Sequence, residues 1–262
     1  MTGARYRFLA WFVALATILG ACTPSAGLDE TALSAPPAAS PSATAVAPAL
    51  VEDTAQPAAP EPEPFALNLY QEGDFVPQYT FDWCVAASIQ MAHNLIDDTG
   101  GSTWADPAQQ GELWEMARVR SNNSYNGASP LGWAQVLTEA GLGPYTVVSI
   151  PDYGDALQAA ARAITETGRP VGLVMWRGRH AWVMSGFESV GDPKVFPDFT
   201  VTGISVLDPL YPHGSGQWGP SPASNTLLTP DELATQFVVR EPRRWSSNLP
   251  TGYLLVLPTA PS

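Results

Sequence analysis

Apolar residues recur along this chain with two different periods, and the switch between them divides its folded part. Over residues 83–96, Val85, Ile89, Ala92 and Ile96 fall at i, i+4, i+7 and i+11, while Gln90, His93, Asn94 and Asp97 line another side. That spacing predicts a mostly buried helix. Helical patterns follow near residues 108–118, 131–140 and 155–167, the third stopped by Gly141 and Gly143-Pro144 and the fourth by Gly168 with Pro170 beyond. The period then becomes short and β-rich in residues 171–176, 180–187 and 201–207, which read as antiparallel strands, with Arg177-Gly178-Arg179 making the first hairpin tight. Thr229-Pro230-Asp231-Glu232 is a capped helix start for residues 232–237, and residues 252–257 read as a last strand. Helices first and an antiparallel sheet afterwards is an α+β order, with two lobes packed around a cleft.

The stretch before this pattern behaves differently. Residues 1–21 have a basic start (Arg5, Arg7), an apolar run from Phe8 to Leu19 and a small-residue end, the layout of a secretory signal peptide. The apolar run falls short of the about 20 residues that span a bilayer. Leu19-Gly20-Ala21-Cys22 resembles the lipobox of bacterial lipoproteins, and the resemblance implies cleavage before Cys22 and lipidation of its thiol; an ordinary signal with a coincidental cysteine is the alternative. Residues 22–65 are dominated by Ala, Pro, Ser and Thr and carry no Lys or Arg, so they bury too little apolar surface to offset chain entropy and read as a disordered tether. A tether of that length would hold the domain of residues 66–258 on the order of 35–40 Å from an anchor. The expected location is therefore the outer face of the bacterial cell membrane, attached through the lipid on Cys22.

Charge narrows the partners. The formal net charge is −13, and removal of residues 1–21 leaves −15, because that segment holds Arg5 and Arg7 and no acid. So acidic a chain is a poor nucleic-acid binder. The two cysteines give no disulfide framework once Cys22 is assigned to a lipid, and Cys84 remains as a lone exported thiol. Its inert reading is a small buried hydrophobe. No cofactor is called for: one spare cysteine and three scattered histidines give no metal-ligand spacing, and Gly100-Gly101-Ser102 lacks the ending of a phosphate-cradling loop. A monomer is the expected state.

A thiol nucleophile needs a base, a group to orient the base and donors for an oxyanion. His93 lies nine residues from Cys84 on the same helix, about 13 Å along the axis, and cannot reach it. His213 sits in a Gly-rich loop. His180 opens a strand after a tight turn, and Asp208 ends the next strand in Val206-Leu207-Asp208-Pro209, where a carboxylate can hold an imidazole or simply start a turn. Gln78 precedes Cys84 by six residues, and Asp82 stands where it can cap the helix.

Gln78, then Cys84 at a helix start, then His180 in Gly178-Arg179-His180-Ala181-Trp182, then Asp208-Pro209, resembles a papain-like cysteine peptidase, most closely the bacteriocin-processing-peptidase-like family, the thirty-ninth family of cysteine peptidases. The resemblance covers residues 66–258. It implies a papain-like fold with a helical lobe followed by an antiparallel sheet. It also implies Cys84 as nucleophile, His180 as general base and acid, Asp208 as orienter and Gln78 as oxyanion donor, acting on a peptide or protein substrate or a cell-wall crosslink. Residues 188–199 and 211–225 are insertions that reshape the cleft. Two other readings stand beside this one. The first is an inactive binding module, with Trp104, Trp114, Trp133, Trp176 and Trp218 as a ligand platform; the second is another thiol amidase or transglutaminase-like enzyme.

Overall fold

The structure is a computed structural model that describes residues 60–97, 103–121, 127–242 and 248–260. The signal segment, Cys22 and most of the tether lie outside the described residues. The first element is β1 (Pro64–Asn68), followed by three helices, α1 (Cys84–Ile96), α2 (Pro107–Val119) and α3 (Pro130–Glu139). Next come β2 (Tyr145–Ile150), α4 (Tyr153–Thr167), β3 (Val171–Met175), β4 (His180–Val190) and β5 (Thr200–Leu207). A small hairpin of β6 (Gly214–Ser215) and β7 (Gly219–Pro220), then β8 (Thr226–Leu228), α5 (Pro230–Ala234) and β9 (Tyr253–Pro258), complete the chain. This is an α+β fold in which a helical lobe precedes an antiparallel sheet, as the resemblance implied.

Local chemistry explains most helix ends. Asp106, Ser129, Asp152 and Thr229 each accept a backbone N–H at the starts of α2, α3, α4 and α5, and Pro occupies the first turn of α2, α3 and α5. These are good starts, because the first N–H groups of a helix have no partner inside it. Gly168 ends α4 at φ 64°, a left-handed conformation that glycine adopts without penalty. Helix α1 is the exception. Its cap position is Trp83, and no side chain caps it.

Among the described residues the strands form one seven-stranded sheet in the order β2-β9-β3-β4-β5-β8, with β1 added beside β4. Strand β4 is long enough to serve two partners in succession. Its first half pairs β3 (Met175 opposite His180) and its second half pairs β1 (Asn68 opposite Gly186), while β5 takes the opposite edge. Apolar side chains leave the sheet on both faces. Val174, Ala181, Val183, Leu207 and Val256 enter a core with α1, α2 and α3, whereas Leu173, Met175, Trp182, Met184 and Val206 enter a second core with α4. The sheet is therefore a middle layer, and β4 reads as a continuous buried run rather than an alternating one.

Several boundaries differ from the sequence reading. Strand β1 begins at Pro64, inside the stretch of residues 22–65 read as tether, because the distal half of β4 offers it an edge. Strand β2 was not foreseen. The insertion at residues 188–199 begins as a continuation of β4, and that at residues 211–225 carries the β6–β7 hairpin. Helix α5 is shorter than the reading of residues 232–237, ending at Ala234.

Strand β1 leads the chain toward Gln78, and Gly186 is what lets it approach β4. A Cβ there would stand 2.4 Å from the Leu67 carbonyl oxygen and 2.7 Å from Asn68 Cα, both backbone atoms. Gly186→Ala is expected to cost about 1–3 kcal/mol of stability, read as a lower urea midpoint at unchanged m-value. An unchanged midpoint would contradict this account of the β1 contact.

Candidate active site

Cys84 is the first residue of α1 and is half-buried. The turn before it is held from inside: Gln78 Nε2 donates to the carbonyls of Thr80 (2.9 Å) and Phe81 (2.8 Å), and Trp83 N–H donates to Thr80 C=O (3.3 Å). Asp82, the candidate cap, instead accepts the Thr80 hydroxyl at 3.1 Å. The first backbone bond of the helix runs from Ala87 N–H to Trp83 C=O, so the earlier N–H groups at the thiol's end of α1 have no partner within the helix and no side-chain cap. Such an end favours negative charge beside it. The Trp83 ring anchors this end against α2, 6.1 Å from the Trp114 ring and lodged over Gly111, where a Cβ would meet it at 2.9 Å.

His180 comes from the other layer. The hairpin of residues 176–179 joins β3 to β4, with Trp176 and Arg177 both in the left-handed region, φ 56° and 58°. Non-glycine residues rarely adopt it, and such strain gathers at functional sites. It delivers His180, 7 % exposed, next to Asp208, 0 % exposed, just beyond the end of the paired strand β5. His180 Nε2 and Asp208 Oδ1 are 2.6 Å apart, and the same oxygen accepts Leu210 N–H at 2.9 Å. Asp208 Oδ2 is buried with no partner among the described residues, so the carboxylate's bonding is concentrated on the oxygen that holds the imidazole. With Nε2 donating to Asp208, Nδ1 is the ring nitrogen left to face Cys84, which lies near enough to bias the ring toward its charged form.

Competing effects set the ring's charge. Burial favours neutral imidazole, but the hydrogen bond to Asp208 and the neighbouring Cys84, with the negative charge each can carry, favour imidazolium. The balance raises His180 from 6.5 to about 9. Trp176 stacks on the ring at 4.1 Å between centroids and 22° between planes, and is itself held twice by Gln236, through its backbone N–H (3.0 Å) and its indole Nε1 (2.8 Å). Trp218, on the β6–β7 hairpin, lies parallel to Trp176 at 6.4 Å.

The structure thus brings Cys84, His180 and Asp208 together, with Gln78 at the base of the turn that delivers the thiol. Gln78 differs from its expected part in one respect: both amide protons are engaged by turn carbonyls, and its Oε1 is buried without a partner among the described residues. His93 is stacked on Trp104 at 4.0 Å, and His213 is exposed just before β6, at the base of the hairpin. The five tryptophans weighed as a platform are spent on packing: Trp133 is 1 % and Trp176 8 % exposed, and Trp104, Trp114 and Trp218 are half-buried against other rings. Sequence reasoning missed Trp176 as a cover for the His180 ring. The signal was present, since an aromatic four residues before His180 across a tight hairpin must lie near it.

No family model matches the chain, and no curated protein matches it. Among solved structures, a protein from Bacillus anthracis assigned as a C39-like peptidase is similar at 10 % identity and a TM-score of 0.38, over 72 % of this chain and 95 % of that one.

The raised value on His180 has a consequence for stability. Its folded value lies above 6.5, so its contribution is complete below about pH 6.5 and is lost as pH rises through about 9. Thermal melts are expected to show a falling midpoint across that window, flattened in Asp208→Asn. An equally steep fall in Asp208→Asn would contradict the assignment.

Proposed function

We propose that the chain is a papain-like thiol hydrolase that cleaves an amide bond in a peptide or protein substrate. The observation that carries this reading is a buried imidazole held by a buried carboxylate, with a half-buried thiol at a helix start as its neighbour. That arrangement suits a thiolate–imidazolium pair, because imidazolium and the helix end both favour the anion.

In this mechanism the Cys84 sulfur attacks the substrate carbonyl, forming a C–S bond while the C=O π electrons move onto oxygen. The Cys84 N–H, at the start of α1 that no side chain caps, is the backbone donor assigned to that oxyanion. Gln78 Nε2 joins it when it releases one of the turn carbonyls that it now holds. Collapse of the tetrahedral intermediate breaks the C–N bond, and His180 gives its proton to the leaving amine. Water then attacks the thioester with His180 as base, and departure of the thiolate restores the pair. Asp208 keeps Nε2–H engaged throughout, so the ring presents Nδ1 to the sulfur. Trp176 covers the His180–Asp208 contact and keeps it dry, which strengthens it.

The rest of the reading rests on sequence. Export by residues 1–21, lipid attachment at Cys22 and a tether would place this hydrolase at the outer face of a membrane, within reach of peptides or crosslinks in the surrounding layer.

Iodoacetamide tests the core of the proposal. Cys84 is expected to alkylate at pH 7 at least about tenfold faster than a free cysteine, whose thiolate fraction there is a few per cent. His180→Ala is expected to remove that advantage, and mass spectrometry should find no label in the folded domain of Cys84→Ala. A wild-type Cys84 no faster than free cysteine would contradict the proposal.

A further inference from the structure

A network of buried amide side chains reaches the turn that leads into Cys84. Gln110 on α2 and Gln90 on α1 are both 0 % exposed. Gln110 Oε1 accepts Tyr79 N–H at 2.8 Å, and its Nε2 donates to Pro77 C=O at 3.1 Å and to Gln90 Oε1 at 2.7 Å. Gln90 Nε2 in turn donates to Asp106 C=O (3.0 Å) and Gln109 Oε1 (2.9 Å). Every polar atom of the Gln110 side chain therefore has a partner.

The two backbone groups that Gln110 takes are the carbonyl before Gln78 and the N–H after it. In extended backbone these point to one side of the chain, and the N–H of the residue between them points to the other. That other side is also taken: Gln78 N–H donates to Pro209 C=O at 2.8 Å. Gln78 is thus gripped on both edges like a single residue of a central strand, with a side-chain amide standing in for one neighbour. Each grip is referenced to the site. Pro209 directly follows Asp208, which holds His180, and Gln90 lies on the helix that Cys84 begins. An apolar side chain would fill the same space on α2; what the amide adds is a fixed register for Gln78 against nucleophile and base together.

We infer that Gln110 is a positioning residue for the oxyanion side of the site, setting Gln78 and the turn into Cys84 without touching substrate. The inference rests on the proposed role of Cys84 as nucleophile. It separates two parts of the machinery: the Cys84–His180–Asp208 relay does not pass through Gln110, whereas the placement of Gln78 does.

Two electrophiles distinguish these parts. Iodoacetamide reacts at a saturated carbon and develops no carbonyl oxyanion, while p-nitrophenyl acetate acylates through one. In Gln110→Met, alkylation of Cys84 is expected to stay within about twofold of wild type, and the acylation burst to fall about tenfold, less than the loss of a direct oxyanion donor. A parallel fall in both rates would show a merely structural role and overturn the inference, as would no fall in either. If Gln110→Met loses its cooperative melt, Gln90→Met removes only the brace and should show the same split at about threefold; no split there overturns the inference. A wild-type Cys84 that alkylates rapidly but never acylates would overturn this inference and leave the thiolate–imidazolium reading standing. An inert wild-type Cys84 would overturn both.

Discussion

The contact on which the candidate site depends is the hydrogen bond between two buried ionisable groups, His180 and Asp208, at 2.6 Å. Taking such groups out of water is costly unless they are paired and hydrogen-bonded, and removing one partner leaves an uncompensated charge. The surroundings are arranged to hold this pair. Val183 opposite Leu207 sets the register of β4 against β5 just inside the two ends, Leu210 N–H adds to the carboxylate, and the Trp176 ring closes over the imidazole. Even the short helix α5 contributes, since the chain leaving it presents Gln236 to both the backbone and the indole of Trp176.

The thiol is delivered by a separate device. The pair grows out of a sheet buried on both faces, whereas Cys84 comes from a helix whose first turn is left uncapped while α2 to α5 are all capped by side chains. An uncapped start sacrifices about 1 kcal/mol of helix stability. The Trp83 ring against α2 and the fully buried face of α1 offset it. The same residues that make this end poor as a helix start leave its N–H groups available to charge developing beside the sulfur. The amide clamp of Gln110 and Gln90 then ties this device to the Asp208 end of the sheet through Gln78.

Much of this was legible in the sequence. The helical period of residues 83–96 and the β-rich runs after residue 170 correspond to α1 and to β3, β4 and β5 because their patterns agree with their burial. Cys84, His180 and Asp208 were named as a set through the resemblance that their motifs and chain order carry, and the structure sets His180 against Asp208. Strand β1 was hidden because Pro60-Glu61-Pro62-Glu63-Pro64 has the composition of a tether, and the strand exists only because β4 outruns β3. The hydrogen bonds of Gln78 were not legible, since a spacing of six residues fixes its position and not where its amide points. Gln110 was the least visible, because a glutamine in an amphipathic helix reads as a surface residue until its partners are known.

The central proposal is that His180 is held as an imidazolium between Asp208 and Cys84. Nitrogen-15 NMR of the histidine rings at pH 7.5 tests it directly, in wild type and in Cys84→Ala. The account predicts protons on both ring nitrogens of His180 in wild type, a strongly deshielded Nε2–H from the bond to Asp208, and loss of the Nδ1 proton when the sulfur is removed. A neutral His180 ring with the same spectrum in both proteins would contradict it.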